Sequence, residues 1–505
     1  MKNFLFLLSV LLVSVSFGQT AAQYYNQAKA KHKLKDYRGA IADYNKAIKL
    51  NPTDTAYYNR GNAKDDLDDY KGAIADYTKA IELDPTFANA YFNRGNAKDY
   101  LEDYKGAIAD YNKVIELDST DSDAYNYRGN AKNRLQDYIG AIEDFTKAIE
   151  LNPTYSDVYL NRGDAKIDLK DYTGAIADYT KAIELDSTDS DAYNNRGNAK
   201  DDLENYKGAI ADYTKAIELE PTFALVYNNR GNVKNRLQDY IGAIEDFTKA
   251  IELNPTYSDA YINRGNAKND LKDYTGAIAD YTKAIELDSK DSDAYNNRGN
   301  AKHDLENYKG AIADYTKAIE LEPTFALAYN NRGNTKVKLK DCRGGIADYN
   351  KAIKLNPTDS HAYYNRGGAK YELKDYKGAI ADYTKVIELD PTDAYAYYNR
   401  GLVKDDLKDF MGAIADYTKA IELEATFARA YNNRGSAKAN LKDYKGAIAD
   451  YTKVIELDPT DADAYYNRGL GKNDSSDTDG ACLDWIKAGE LGNTDAYDRI
   501  KEYCK

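Results

Sequence analysis

Residues 54–87 read DTAYYNRGNAKDDLDDYKGAIADYTKAIELDPTF, and the chain says nearly the same thing many times over. Its Arg60-Gly61 pair returns at Arg94-Gly95, Arg128-Gly129 and Arg162-Gly163 and onward to Arg468-Gly469, always 34 residues apart, in thirteen copies. An earlier copy, residues 21–53, lacks the pair and is one residue shorter in its final turn. All nine prolines fall at the phase of Pro85, which marks that phase as a recurring turn. Repetition at this period specifies a stack of supersecondary units, each too small to bury its own apolar face.

Each unit reads as two helices. Tyr57, Gly61, Lys64 and Leu67 are spaced by four, three and three and share a stripe of the first. Ala73, Ile74, Tyr77, Ala80 and Ile81 form a wider apolar face on the second. Asp68 and Asp69 stand where that helix needs an N-cap, and Asp84-Pro85-Thr86 ends it. Helices of about a dozen residues are marginal alone in water, so stability has to come from stacking. The expected fold is all-α: a right-handed α-solenoid (superhelix) of fourteen tandem helix–turn–helix repeats over residues 19–493, with a capping helix over 494–505.

Composition narrows the function. With 69 Lys+Arg against 83 Asp+Glu over 505 residues, the net charge is −14, which disfavours a phosphate-neutralising nucleic-acid binder. Three cysteines and three scattered histidines (His32, His303, His361) leave little for a metal centre or acid–base chemistry, so no cofactor and no metal are expected. At the N-terminus, Lys2 precedes an apolar run from Phe4 to Phe17 closed by Ser16 and Gly18. That is the pattern of a cleavable signal peptide over residues 1–18, too short for a bilayer anchor. The mature chain is expected to be periplasmic or extracellular, with no membrane span.

The period, Tyr57-x2-Arg60-Gly61-x2-Lys64, Ala73-x3-Tyr77 and Pro85 together resemble the tetratricopeptide repeat, over about residues 21–493. Departures are Tyr57 for the usual Trp, Arg60 for Leu, Lys64 for Tyr and Tyr77 for Phe. Arg60 puts a cation where the family packs an aliphatic side chain. An acid recurs in every second helix, so each Arg is expected to pair with the Asp of its own unit: Arg60 with Asp76, Arg94 with Asp110, Arg196 with Asp212. The alternative is a row of arginines that binds anions.

Copies can be compared with one another. The phase of Tyr58 varies (Phe92, Asn126, Leu160, Ile262), and so does that of Thr55 (Asn89, Asp157, His361, Arg429). Residues 55, 58, 62 and 65 share one face of the first helix; the resemblance implies that this face lines a concave groove. Two phases beside the variable ones are nearly constant. One holds Asn59, Asn93, Asn161, Asn195, Asn229, Asn263, Asn297, Asn331, Asn365, Asn399, Asn433 and Asn467; only Tyr127 breaks it. The other holds Asn62, Asn96, Asn130, Asn198, Asn232, Asn266, Asn300 and Asn334, then lapses at Gly368, Leu402, Ser436 and Leu470. A carboxamide has a donor and an acceptor, so such ladders can match the peptide bonds of an extended chain or serve neighbouring helices. Some members of the family grip a C-terminal carboxylate with Lys and Arg here; Asn, Asp and aromatics at the matching phases remove most of that clamp.

The C-terminal unit degenerates through Asp474-Ser475-Ser476 and carries the only tryptophan, Trp485, as a terminal cap would. Ser475–Gly480 is similar to a calcium loop but lacks its first and last ligands, and its register suits helix capping better. Cys482 and Cys504 flank the last segment and are a candidate disulfide, bonded or not; Cys342 replaces a tyrosine as a buried thiol. The expected function is a non-catalytic protein–protein interaction scaffold that binds protein or peptide, extended in the groove. The alternatives are a structural, self-associating envelope protein and, behind it, carbohydrate binding.

Overall fold

The computed structural model describes residues 19–504, so the expected signal peptide lies outside the described residues. Among them are 29 helices, α1 (Ala21–Lys33) to α29 (Asp495–Tyr503), in tandem antiparallel pairs, with no strand: an all-α solenoid. The chain divides into two compact units, one ending at Asn254 and one beginning at Pro255. No described helix is long and apolar enough to cross a membrane.

The unit α3 (Asp54–Asp65) and α4 (Tyr70–Leu83) shows how the sequence makes the hairpin. The Asp69 carboxylate caps α4 by accepting from the Gly72 backbone N–H at 3.0 Å. A Cβ on Gly72 would lie 2.1 Å from an oxygen of that carboxylate, so the glycine is what lets the cap fold back over the first turn. Between the helices the Asp69 N–H returns to the Lys64 carbonyl at 2.9 Å, with Asp68 left-handed at φ 60°. The turn inside each of the fourteen repeats does the same, on a non-glycine residue such as Lys170, Glu204 or Gln238, although the conformation favours glycine. Asp68 is therefore the hinge residue and Asp69 alone the cap. Leu67, placed by its spacing on the packing stripe, lies beyond the end of α3 and is 40% exposed.

Ala73, Tyr77 and Ala80 are fully buried. Gly61 lets the Tyr77 ring lie against the α3 backbone: an added Cβ would be 2.6 Å from Cε1. The next interface is built from Ala80, Ile81 and Ala90, with Tyr57, Phe87 and Tyr91 packed around them. Within each unit the core is thus a chain of small clusters, each shared by consecutive helices.

The first copy differs for a physical reason. Gln27 stands where later copies carry Arg, and its Asp43 is held instead by Lys31 at 2.6 Å and Lys46 at 3.0 Å. At the other end, Trp485 replaces the core tyrosine in α28 (Thr478–Glu490) and is fully buried, against Ala481, Ala488 and Ala496. Cys482 and Cys504 are disulfide-bonded, with Cα atoms 5.7 Å apart, tying the end of α29 to α28. Asp477 caps α28 by accepting from the Gly480 N–H at 2.9 Å, which is the work done by the acidic stretch before it. Cys342 is free and buried.

Candidate functional site: the face of the first helices

The arginines are spent inside the framework. Arg94 makes a bidentate pair with Asp110, Nε to Oδ2 at 3.0 Å and Nη2 to Oδ1 at 2.7 Å, and Arg196 pairs with Asp212 at 2.9 and 2.7 Å in the same way. Arg60 pairs with Asp76 likewise. The Lys one turn on joins each carboxylate, Lys98 at 2.8 Å and Lys200 at 2.6 Å. The third nitrogen reaches back to the preceding repeat: Arg94 Nη1 donates to Thr78 at 3.0 Å and Arg196 Nη1 to Thr180 at 3.2 Å. Each guanidinium also lies over the tyrosine one turn before it, Arg94 over Tyr91 at 5.4 Å. A 3% exposed Asp110 held by two cations is internal neutralisation, and it leaves the guanidinium no geometry for a ligand anion.

The row beginning at Asn59 also reaches back one repeat. Asn93 Nδ2 donates to Tyr58 Oη at 3.1 Å and Asn62 Oδ1 at 2.9 Å; Asn229 bonds Asn194 and Asn198; Asn331 bonds Asn296 and Asn300. Asn59 donates to Tyr25, Asn161 to Asn126, Asn365 to Asn330, Asn399 to Tyr364, Asn433 to Tyr398 and Asn467 to Asn432. Asn195 and Asn297 make longer bonds of 3.5 Å to Asp164 and Asn266, and Asn263 is engaged too. These amides work as inter-repeat rungs.

The row beginning at Asn62 divides its amide. Its oxygen accepts from the core tyrosine of its own unit: Tyr77 to Asn62 at 2.9 Å, and at 2.8 Å Tyr111 to Asn96, Tyr213 to Asn198, Tyr281 to Asn266 and Tyr315 to Asn300. Its Nδ2 donates to no described residue. Where phenylalanine replaces the tyrosine, at Phe145 and Phe247, the whole carboxamide of Asn130 and Asn232 is without a hydrogen bond among the described residues. The tyrosine hydroxyl, missed by spacing alone, therefore decides which asparagines keep unspent groups; the signal was the Tyr-to-Phe exchange between copies.

The end of this face is acidic. Asp65, Asp99 and Asp405 each bury a carboxylate oxygen that has no hydrogen-bond partner, and burial raises all three pKa values. Copies at this phase that carry Asn133, Asn235 and Asn269 bury an unpartnered oxygen as well. Other pairs link neighbouring copies: His32 with Asp66 at 2.6 Å, Arg236 with Asp201 at 2.7 Å and Tyr371 with Asp406 at 2.7 Å. An open cavity of about 270 Å³ lies on this face between Asp164, Asp168, Asp202, Asn195 and Asn198. No described group of three or more His, Cys, Asp or Glu is placed to hold a metal ion.

The tetratricopeptide repeat model matches nine segments between residues 21 and 461, including 21–54, 88–121, 224–257 and 428–461. Related repeat models match 163–200, 265–305 and 367–404, then 247–279 and 326–359. Among solved structures, YrrB, described as a TPR protein with an unusual peptide-binding site, is 30% identical over 37% of this chain and 96% of its own, with a TM-score of 0.33. MamA is 27% identical over 34% of this chain and 94% of its own, TM-score 0.32. A tetratricopeptide repeat protein from Parabacteroides merdae is 18% identical over 49% of this chain and 98% of its own, TM-score 0.41. No curated protein matches the chain. Matched in phase over more than half its length, the chain belongs to the tetratricopeptide repeat family.

Proposed function

We infer that this protein is an exported, non-catalytic scaffold that binds polypeptide in extended form along the face of its first helices. The observation that carries the reading is the row of unspent amide N–H groups that runs from Asn62 to Asn334 with one gap, at Asp164, and in which Asn130 and Asn232 have no hydrogen bond to any described residue. Regularly spaced donors suit backbone carbonyls, and the variable residues beside them supply preference among side chains. The unpaired carboxylates at Asp65, Asp99 and Asp405 favour neutral or basic segments. Residues 1–18 as a signal peptide and the Cys482–Cys504 bond support a periplasmic or extracellular setting.

Self-association through the ends has less support. The first copy carries Gln27 where a guanidinium would reach back to another repeat, and the last is closed by α29 and its disulfide. The test is peptide capture from an envelope extract by the wild type and by the variant Asn130→Ala/Asn232→Ala. Those two side chains have no internal bond to lose, so the variant should stay folded and retain less peptide. Capture equal to wild type, at unchanged melting temperature, refutes the reading.

A further inference from the structure

One place in the array breaks several framework rules at once. Cys342 stands at the phase of Tyr70, Gly345 at that of Ala73, and Gly368 at that of Asn62. The smaller side chains leave an open cavity of about 560 Å³, lined among others by Cys342, Gly368, Tyr364, Tyr371, Lys338 and Lys340. Gly345 does not contribute to the opening: an added Cβ would meet Val337 Cγ2 at 2.6 Å, so Val337 has taken its place. Gly368 does, because the nearest atom to an added Cβ is the Tyr383 hydroxyl, at 3.7 Å.

That hydroxyl is the informative group. Tyr383 is 4% exposed and its ring meets the edge of the pocket residue Tyr364 at 5.7 Å. Its counterparts in other units donate to the Asn62-phase oxygen, as Tyr349 does to Asn334 at 2.7 Å, one repeat earlier. With Gly368 in place of that asparagine, Tyr383 has no hydrogen-bond partner among the described residues. Tyr383 does not itself line the cavity, but its hydroxyl is the atom nearest the space a Gly368 side chain would fill and, unlike the Tyr417 hydroxyl, it is not sealed from solvent, so an acceptor entering past Gly368 can reach it.

Charge says which acceptor. Residues 326–359 hold seven Lys or Arg against three Asp, which makes this the most basic unit after the first in an acidic chain. Lys338 and Lys340 are exposed at the pocket, opposed there by one carboxylate, Glu372. His303 also lines it, and its Nδ1 must donate to Thr335 (2.8 Å), because the Thr335 hydroxyl donates to the Asn331 carbonyl at 2.9 Å. The imidazole is thereby oriented by the framework, and burial lowers its pKa.

We propose that this pocket is a side-chain subsite for a carboxylate-bearing residue, Glu or Asp, of a bound extended polypeptide, whose oxygen accepts from Tyr383 in place of the missing asparagine. The proposal rests on the groove-binding reading above and adds one anchoring position, acidic in preference, to a face that otherwise suits neutral or basic chains.

The test uses the full chain and N-acetyl-glutamate N-methylamide as probe, followed by saturation-transfer NMR. Transfer to the glutamate probe should exceed that to the blocked glutamine and lysine analogues. Gly368→Asn restores the framework acceptor, has room for its Cβ, and should cut the transfer by roughly fivefold, as loss of one hydrogen bond implies. Lys338→Gln/Lys340→Gln should erase the preference for glutamate over glutamine. Equal transfer in wild type and Gly368→Asn, or no transfer from the glutamate probe, overturns the proposal. Peptide capture that persists in Gly368→Asn while these signals fail would refute the subsite and leave the groove reading intact.

Discussion

Replacing Arg298 by methionine removes charge while keeping much of the side chain's bulk, and the structure gives the expected cost. Arg298 donates to Asp314 at 2.9 and 2.8 Å, donates to Thr282 at 3.1 Å, and covers the Tyr295 ring at 5.4 Å. Asp314 is 4% exposed, so the substitution strands a buried carboxylate, which ordinarily costs about 3–5 kcal/mol. Lys302 still holds one oxygen at 2.7 Å, which places the loss near the lower bound, about 3 kcal/mol. A long array need not unfold in one step, so a single melting curve is the wrong assay. Native-state hydrogen exchange in the full chain resolves the site. Amides of residues 292–321 should exchange roughly 150-fold faster, since about 1.4 kcal/mol is a factor of ten, while those of residues 54–83 stay unchanged. The double variant Arg298→Met/Asp314→Met should recover part of the loss, because no carboxylate is then stranded. A change below about tenfold in Arg298→Met, or a double variant less stable than the single one, would refute the argument.

Tyr213→Phe should lose about 1 kcal/mol with its bond to Asn198, whereas Tyr417→Phe should lose nothing, because Leu402 leaves the buried Tyr417 hydroxyl unpartnered; local hydrogen exchange compares the two. Asp99→Asn should raise stability at neutral pH. Burial raises the folded-state pKa of Asp99, so its penalty is full above that pKa and relieved as pH falls through it, and the advantage of the variant should shrink in acid titrations. Asp43 has the opposite sign. Its bond with Lys31 lowers its pKa, so the stability it gives the first hairpin should vanish as pH falls through the folded-state value, read by exchange of residues 21–50. Reduction of Cys482–Cys504, 22 residues apart in sequence, should weaken the packing of α29 by roughly 3 kcal/mol and leave interior repeats alone.

The helix pairs were legible because the same apolar phases recur at a fixed period, and periodicity is what burial writes into a chain. The offset of sixteen residues between each Arg and its Asp is likewise a one-dimensional trace of two facing helices. Bonds that cross between repeats leave a fainter trace. Asn93 and Arg94 sit side by side in sequence, and only the stacking geometry sends one to Tyr58 and Asn62 and the other to Thr78. The spacing of Lys64 puts it on a packing stripe, but its ammonium joins the Asp76 carboxylate at 2.8 Å, because a helix turn after Arg60 brings it over the same second helix. The lapse at Gly368 was visible as a gap in a row. Its meaning depended on Tyr383, fifteen residues later and on another helix.

The backward reach of each first helix has a consequence for how such a chain can change length. Outside its own unit, a copy's Arg and Asn bond the copy before it, and what they find there, a threonine hydroxyl or asparagine amide oxygen and a second polar rung, is nearly the same everywhere. Insertion or loss of whole 34-residue blocks therefore recreates a familiar seam, whereas a cut at any other interval leaves a guanidinium facing the wrong neighbour. Residues 133–157 and 235–259 are identical in sequence, three blocks apart, as a gene that grows by unequal exchange would leave them. For such a molecule, size is an inherited variable that selection can adjust without redesigning a single joint.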